Sequence, residues 1–164
     1  MVRLMKILLP VMNTYETVRA AKKAAEAAKR NNGSLKLIRV IRPREIRAFK
    51  RYTRLWQQVD GSILDGSAFL MDDGEAERKM MMRAAGAIAS VTSKLNSEDV
   101  KMETEVIIGN PAAEIVRAAK LENAGLIVMG KRRHSTFLSM LFDSTVRRVV
   151  SNSPCPVMVV GPDE

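Results

Sequence analysis

Two spacings of apolar residues take turns along this chain. Ile7 to Val11 is a short apolar run of strand length, and Asn13 followed by Glu16 reads as a capping box that opens a helix. In that helix Val18, Ala21, Ala25 and Ala28 fall on one face, with Arg19, Lys22, Lys23, Glu26 and Lys29 on the other, and Gly33 reads as the stop. The alanine stripe predicts close approach to a sheet. Leu35 to Ile41 is apolar and β-branched towards its end, a second strand. From Arg42 to Gly74 the pattern weakens. Ile46, Phe49, Tyr52, Leu55, Trp56 and Val59 sketch a helical stripe, and residues 42–74 are expected to form an irregular excursion or lid rather than another domain. Glu75 to Asn96 is a firmer helix, with Met81, Ala84, Ile88, Val91 and Leu95 facing the core. Val100, Met102, Thr104, Val106 and Ile108 alternate with charged residues as a half-exposed third strand. Asn110-Pro111 then starts a helix that runs to about Asn123. Leu126 to Met129 reads as a buried central strand and Pro156 to Val160 as the fifth.

Strands alternating with helices at these lengths require parallel pairing through right-handed crossovers. The expected fold is α/β: one domain over residues 1–164, with a doubly wound, five-stranded parallel sheet and helices on both faces. Ligands of such sheets bind beyond the carboxyl ends of the strands, where strand order reverses. That rule selects Pro10 to Thr14, Val40 to Pro43, and the chain from Gly130 onwards.

Composition narrows the choice of chemistry. The 164 residues, 46% of them hydrophobic, suffice for one well-filled core. Lys and Arg number 27 against 18 Asp and Glu, a formal net charge of +9. Such an excess suits a phosphorylated ligand, an acidic membrane surface or nucleic acid. Cys155 is the one cysteine, so an intrachain disulfide is impossible and a reducing cytoplasm is the expected compartment. Between two prolines at the start of a strand, it reads as a packed small residue. No apolar run is long enough to span a bilayer, and no targeting signal is evident. His134 is the sole histidine, no nucleophile and base spacing stands out, and Asp60, Asp65, Asp72 and Asp73 make no cation loop, so neither a catalytic residue nor a metal site is expected.

The stretch from Leu126 to Val160 carries the strongest chemical signal. A strand delivers Gly130 to the sheet edge, a basic loop follows, and Ser144 and Thr145 open the last helix, whose unpaired N–H groups and dipole favour phosphate. With the opening KILLPV, the strand end RVI, the segment VIIGNPAAEIVRAAKLENAGLIVMG and the closing SNSPCPVMVV, in that order, the chain resembles the universal stress protein family over nearly its whole length. The resemblance implies a flavodoxin-like or adenine nucleotide α-hydrolase-like sheet. It also implies a cytoplasmic homodimer in which the last strands, Val157 to Val160 here, pair across the two-fold axis.

Family members that bind ATP are marked by a glycine, two residues, a second glycine, nine residues, a third glycine and a serine or threonine. Gly130 holds the first of these places and Ser144 the last, while Arg133 and Asp143 replace the two glycines between. Both replacements remove the room that lets backbone approach a phosphate. Met12 stands where ATP-binding relatives usually carry an aspartate, and a thioether cannot hold a ribose hydroxyl as a carboxylate does. The candidate ligand residues carried over from the resemblance are Pro10, Val11, Met12, Val40, Met129, Gly130, Arg133, Asp143, Ser144 and Thr145. Val40 and Met129 are apolar enough to pack on adenine, and equally suited to a sheet that binds nothing.

The favoured reading is a regulatory, stress-response homodimer that binds ATP or another adenine nucleotide weakly or not at all. A second reading keeps a nucleotide or other phosphorylated ligand on the loop from Gly130 to Thr145, with Lys131, Arg132 and Arg133 supplying charge in place of glycine amides. A third, nucleic-acid binding through the basic surface around Arg39 to Arg54, is disfavoured, since Phe49, Tyr52 and Trp56 are its only aromatic cluster and no recognition motif is present.

Overall fold

The computed structural model describes residues 4–12, 14–59, 72–95, 98–131 and 144–161. Ten elements follow in order: β1 (Lys6–Pro10), α1 (Thr14–Arg30), β2 (Ser34–Ile41), α2 (Pro43–Val59), α3 (Asp73–Thr92), β3 (Lys101–Ile108), α4 (Pro111–Leu121), β4 (Leu126–Gly130), α5 (Ser144–Asn152) and β5 (Val157–Val160). All strand pairs are parallel, in the order β3-β2-β1-β4-β5. The chain builds outward from β1 through β2 to β3, then returns to add β4 and β5 on the other side. The reversal falls between β1 and β4, which opens a crevice at their carboxyl ends.

Strand alternation distributes the core between the two faces of the sheet. Ile7, Leu9, Leu35, Leu37 and Val128 pack with Ala20, Ala21, Ala24 and Ala28 of α1 and Ile88 and Val91 of α3. Leu8, Ile38, Val40, Ile127 and Met129 pack with Ile115 and Ala119 of α4 and Val146 and Val149 of α5. The alanine stripe thus brings α1 close to the strands, as its spacing predicts.

Several local expectations change. The excursion is half helical: α2 occupies Pro43–Val59 and packs on α3, with the Arg83 guanidinium 4.8 Å from the centre of the Phe49 ring. Residues 60–71 and the Asn13 cap lie outside the described residues. On α3 the buried line is Ala76, Ala84, Ile88 and Val91, while Met81 and Met82 are exposed. The helix starts earlier than its apolar pattern because the side chain of Asp72 accepts a hydrogen bond from Glu75 N at 2.7 Å.

Gly33 is not the left-handed residue that stops α1. That role belongs to Asn32 at φ 48°, with Gly33 N donating back to Ala28 O at 2.8 Å. Gly33 is needed for space instead, because a Cβ there would lie 2.1 Å from the carbonyl oxygen of Met5. The Asn110 cap forms as read: its side chain accepts from Ala113 N at 3.2 Å, and Pro111 takes the first turn. Cys155 is partly buried against the α4 and α5 face, with Ser153 Oγ bonded to its backbone on both sides.

Candidate functional site

Three parallel strands deliver the predicted residues to one end of the sheet. Pro10 ends β1, and Val11 continues it by donating from its N to Ile38 O at 2.7 Å. Beyond β4, Lys131 N donates to Val160 O at 2.8 Å, which holds Gly130 at the sheet edge. Gly130 also has a packing duty: a Cβ there would lie 2.7 Å from the backbone oxygen of Glu16, in the first turn of α1. Glycine at this position is therefore required by the fold, whether or not a phosphate visits. Next to that contact, Glu16 Oε2 is buried without a hydrogen-bond partner among the described residues.

Among the described residues the candidates line two clefts. Pro10, Val11, Met12 and Val40 line a cleft of about 200 Å³ with Arg39, Arg42, Glu45 and Ile115. Met129 is fully buried in the core between β4 and the α4 and α5 face, so its side chain has no surface to offer adenine. Ser144 and Thr145 line a different cleft, of about 500 Å³. Arg133 and Asp143 lie outside the described residues.

Two arginines absent from the candidate set organise this edge. Arg39 Nη1 donates to Val11 O at 2.9 Å and also to Met12 O, so a guanidinium closes the turn after β1. Arg42 Nη1 donates to Glu45 Oε1 and its Nη2 to Thr145 Oγ1, each at 3.3 Å, making Arg42 a wall common to both clefts. The signal in the sequence was their place: one cation within the largely buried second strand and one just after its end, where burial must be offset by hydrogen bonds. Grouping them with the basic surface from Arg39 to Arg54 hid it.

The opposite, amino edge of the sheet is electrostatically closed. Glu122, which caps α4, receives hydrogen bonds from Lys36 and Lys6, and Lys36 also reaches Glu105 at 2.8 Å. Hydrogen bonds from Lys36, then Lys6, hold the Glu122 carboxyl below its ordinary pKa. Burial is the largest single influence on Lys36 and favours its neutral form, but Glu105 and Glu122 together outweigh it and raise its pKa. At the same edge, exposed Lys29 and Asp99 pair at 2.8 Å.

Among the described residues no group of three or more His, Cys, Asp or Glu side chains could hold a metal ion, and no helix is long and apolar enough to cross a membrane.

The sequence and the fold lead to the same relatives. The model of the universal stress protein family matches residues 4–161. Universal stress protein MJ0531 of Methanocaldococcus jannaschii is 30% identical over 155 residues, 94% of this chain and 81% of that protein. Among solved structures, that of the protein MJ0577 superposes with a TM-score of 0.69 at 21% identity, covering 98% of this chain and 97% of the other. The universal stress protein of Archaeoglobus fulgidus in complex with dAMP superposes with a TM-score of 0.55 at 14% identity, covering 97% and 98%. On a family match that spans nearly every residue, with the strand order and switch-point geometry described above, this chain belongs to the universal stress protein family.

Proposed function

We propose that this chain is a regulatory, stress-associated binding protein of the cytoplasm that takes up an adenine nucleotide weakly or not at all and performs no catalytic step. The observation that carries this reading is the cleft at the end of β1. Among its described lining residues Glu45, already bonded to Arg42, is the one acid. A methionine stands at its rim where a ribose-holding carboxylate would be expected, and Arg39 draws the carbonyls of Val11 and Met12 inward. The dAMP complex of a structural relative supports adenine nucleotide as the class of ligand to test.

Titration calorimetry with ATP and AMP on the purified protein is the test. The expected result is no heat, or a Kd of about 100 μM or weaker; at 1 μM the site would be supplying about 8 kcal/mol, which would overturn the reading. Met12→Asp should tighten AMP by about threefold to tenfold, the worth of one added hydrogen bond.

The same reading includes a homodimer through β5. Among the described residues Val157–Val160 pairs with β4 on one side only, and Met158 is exposed on it, which leaves an apolar edge that gains from a partner strand. Sedimentation velocity should find a dimer that Met158→Glu converts to monomer; a monomeric wild type would sink this part.

A further inference from the structure

At the carboxyl edge the chain's own arginines already hold groups that a ligand would meet. Arg39 takes the carbonyls of Val11 and Met12. Arg42 spans further: its Nη1 donates to Glu45 Oε1 and its Nη2 to Thr145 Oγ1. The base of this side chain is fixed by backbone on both sides. Ile41 before it accepts from Gly109 N at 2.9 Å, its own carbonyl accepts from Glu45 N at 2.8 Å, and Pro43 after it restricts its conformation. From that fixed point the guanidinium crosses from the end of β2 to the start of α5, where Thr145 is buried. It lines the cleft at Met12 and the cleft at Ser144 alike. With 31% of its side chain exposed, Arg42 is a partly buried tie rather than a solvated surface charge.

Both bonds of this tie measure 3.3 Å, just beyond the usual range of roughly 2.7–3.2 Å, so Arg42 closes the space without gripping either partner tightly. A ligand that spans the two clefts has to break both. Doing so also uncovers the Glu45 carboxylate, which repels a phosphate brought beside it. Arg39 stands differently, since it closes the turn after β1 and cannot leave without moving the wall of the cleft.

We propose that Arg42 determines what this edge admits: held by Glu45 and Thr145, it is a plug that keeps an adenine nucleoside from occupying the two clefts together. This role presupposes the adenine nucleotide reading above and gives the low affinity one removable cause. An arginine beside a ligand site ordinarily serves to hold phosphate, and that role has the opposite signature. Removing a phosphate-holding arginine weakens AMP and leaves adenosine unchanged. Removing a plug strengthens both, and adenosine more, because adenosine carries no charge to miss the lost cation.

The test is calorimetric titration of adenosine and of AMP into the wild-type protein and three variants. Arg42→Ala should bind adenosine at least about tenfold more tightly than the wild type, or than its limit of detection, because two hydrogen bonds no longer have to be broken; the gain for AMP should be smaller. Glu45→Gln keeps Arg42 but loosens its hold, and should gain about twofold to threefold for both ligands. Lys22→Ala, at an exposed position of α1, has the same net charge as Arg42→Ala and should stay within about twofold of the wild type. Loss of fold cannot imitate a gain in binding. Where Arg42→Ala does not melt cooperatively, Glu45→Gln decides, and no gain there overturns the proposal. A cooperatively melting Arg42→Ala protein that gains nothing for adenosine, a weakening of AMP with adenosine unchanged, or an equal gain in Lys22→Ala overturns it too. The wild-type Kd for AMP tests the weak-binding reading, whereas the ratio of Arg42→Ala to wild type tests the plug, so either can fail alone.

Discussion

Two clefts of nearly equal size sit at opposite ends of the sheet, and α4 runs from one to the other. The amino-end cleft, about 490 Å³, is lined by Leu4, Met5, Lys6, Lys120, Asn123 and their neighbours where α4 ends. The carboxyl-end cleft, about 500 Å³, lies where α4 begins. Both contain cations, but their settings have opposite sign. Lys6 and Lys120 lie at the negative end of the helix, and Lys6 is shared with Glu122 in a chain of alternating charges through Lys36 to Glu105. Arg44, Arg47 and Arg148 are exposed near the starts of α2 and α5, and the acid of the first turn of α2, Glu45, is paired with Arg42. Part-buried, matched charge at the first end ties β1, β2 and β3 to the end of α4, while the exposed guanidiniums at the second cost little because water solvates them. Cleft volume would never have separated the two.

Substitutions can break this contrast, and the largest effect is steric. Gly33→Ala, at the amino end, drives a Cβ into the Met5 carbonyl and should cost about 3 kcal/mol in urea denaturation, since neither backbone segment can yield. Glu122→Gln should cost about 1–2 kcal/mol near neutral pH by leaving Lys6 without its carboxylate and Lys36 with Glu105 alone. It should also reshape the pH profile. The folded Glu122 carboxyl sits below its ordinary 4.5, so acid favours the unfolded chain, and this stabilisation is present above pH 4.5 and lost as pH falls through the folded pKa. The variant should flatten that acid limb. Lys36, raised above 10.5, contributes fully below that pH and loses its contribution as pH climbs through the folded value.

A smaller effect of opposite sign is expected at the carboxyl end. Arg44→Glu puts an acid in the first turn of α2 and among the remaining arginines, and should stabilise the ligand-free protein by about 0.3–1 kcal/mol. A destabilisation there would show that Arg44 itself supports the fold. Smallest of all, Asp99→Asn breaks a pair exposed on both sides and should leave the Tm unchanged in a thermal melt.

Much of the fold was legible because its cause is local. The alanine stripe of α1, the Asn110 cap with Pro111 behind it, and the unbroken apolar run of β4 each state their environment within a few residues. The second helix was legible as the stripe from Ile46 to Val59, but its docking on α3 rather than on the sheet was not, because a helical period does not name the surface it covers. The candidate site was legible only as a set of strand ends. Pro10, Val11, Met12 and Val40 do converge, but Met129 turns into the core, and Ser144 and Thr145 face another cleft. Period-two alternation tells which residues leave the strand on one side, without telling whether a helix covers that side at that height.

By itself, then, the sequence determined the alternation of elements, the parallel sheet and the family, because periodicity, caps and crossover handedness act over short distances. Only the tertiary structure decided which glycines answer to packing and which charges are matched. Gly33 and Gly130 are set by backbones that approach from elsewhere in the chain. Arg44 and Arg148 are more than a hundred residues apart, and they share a cleft only because three helices begin at the same edge.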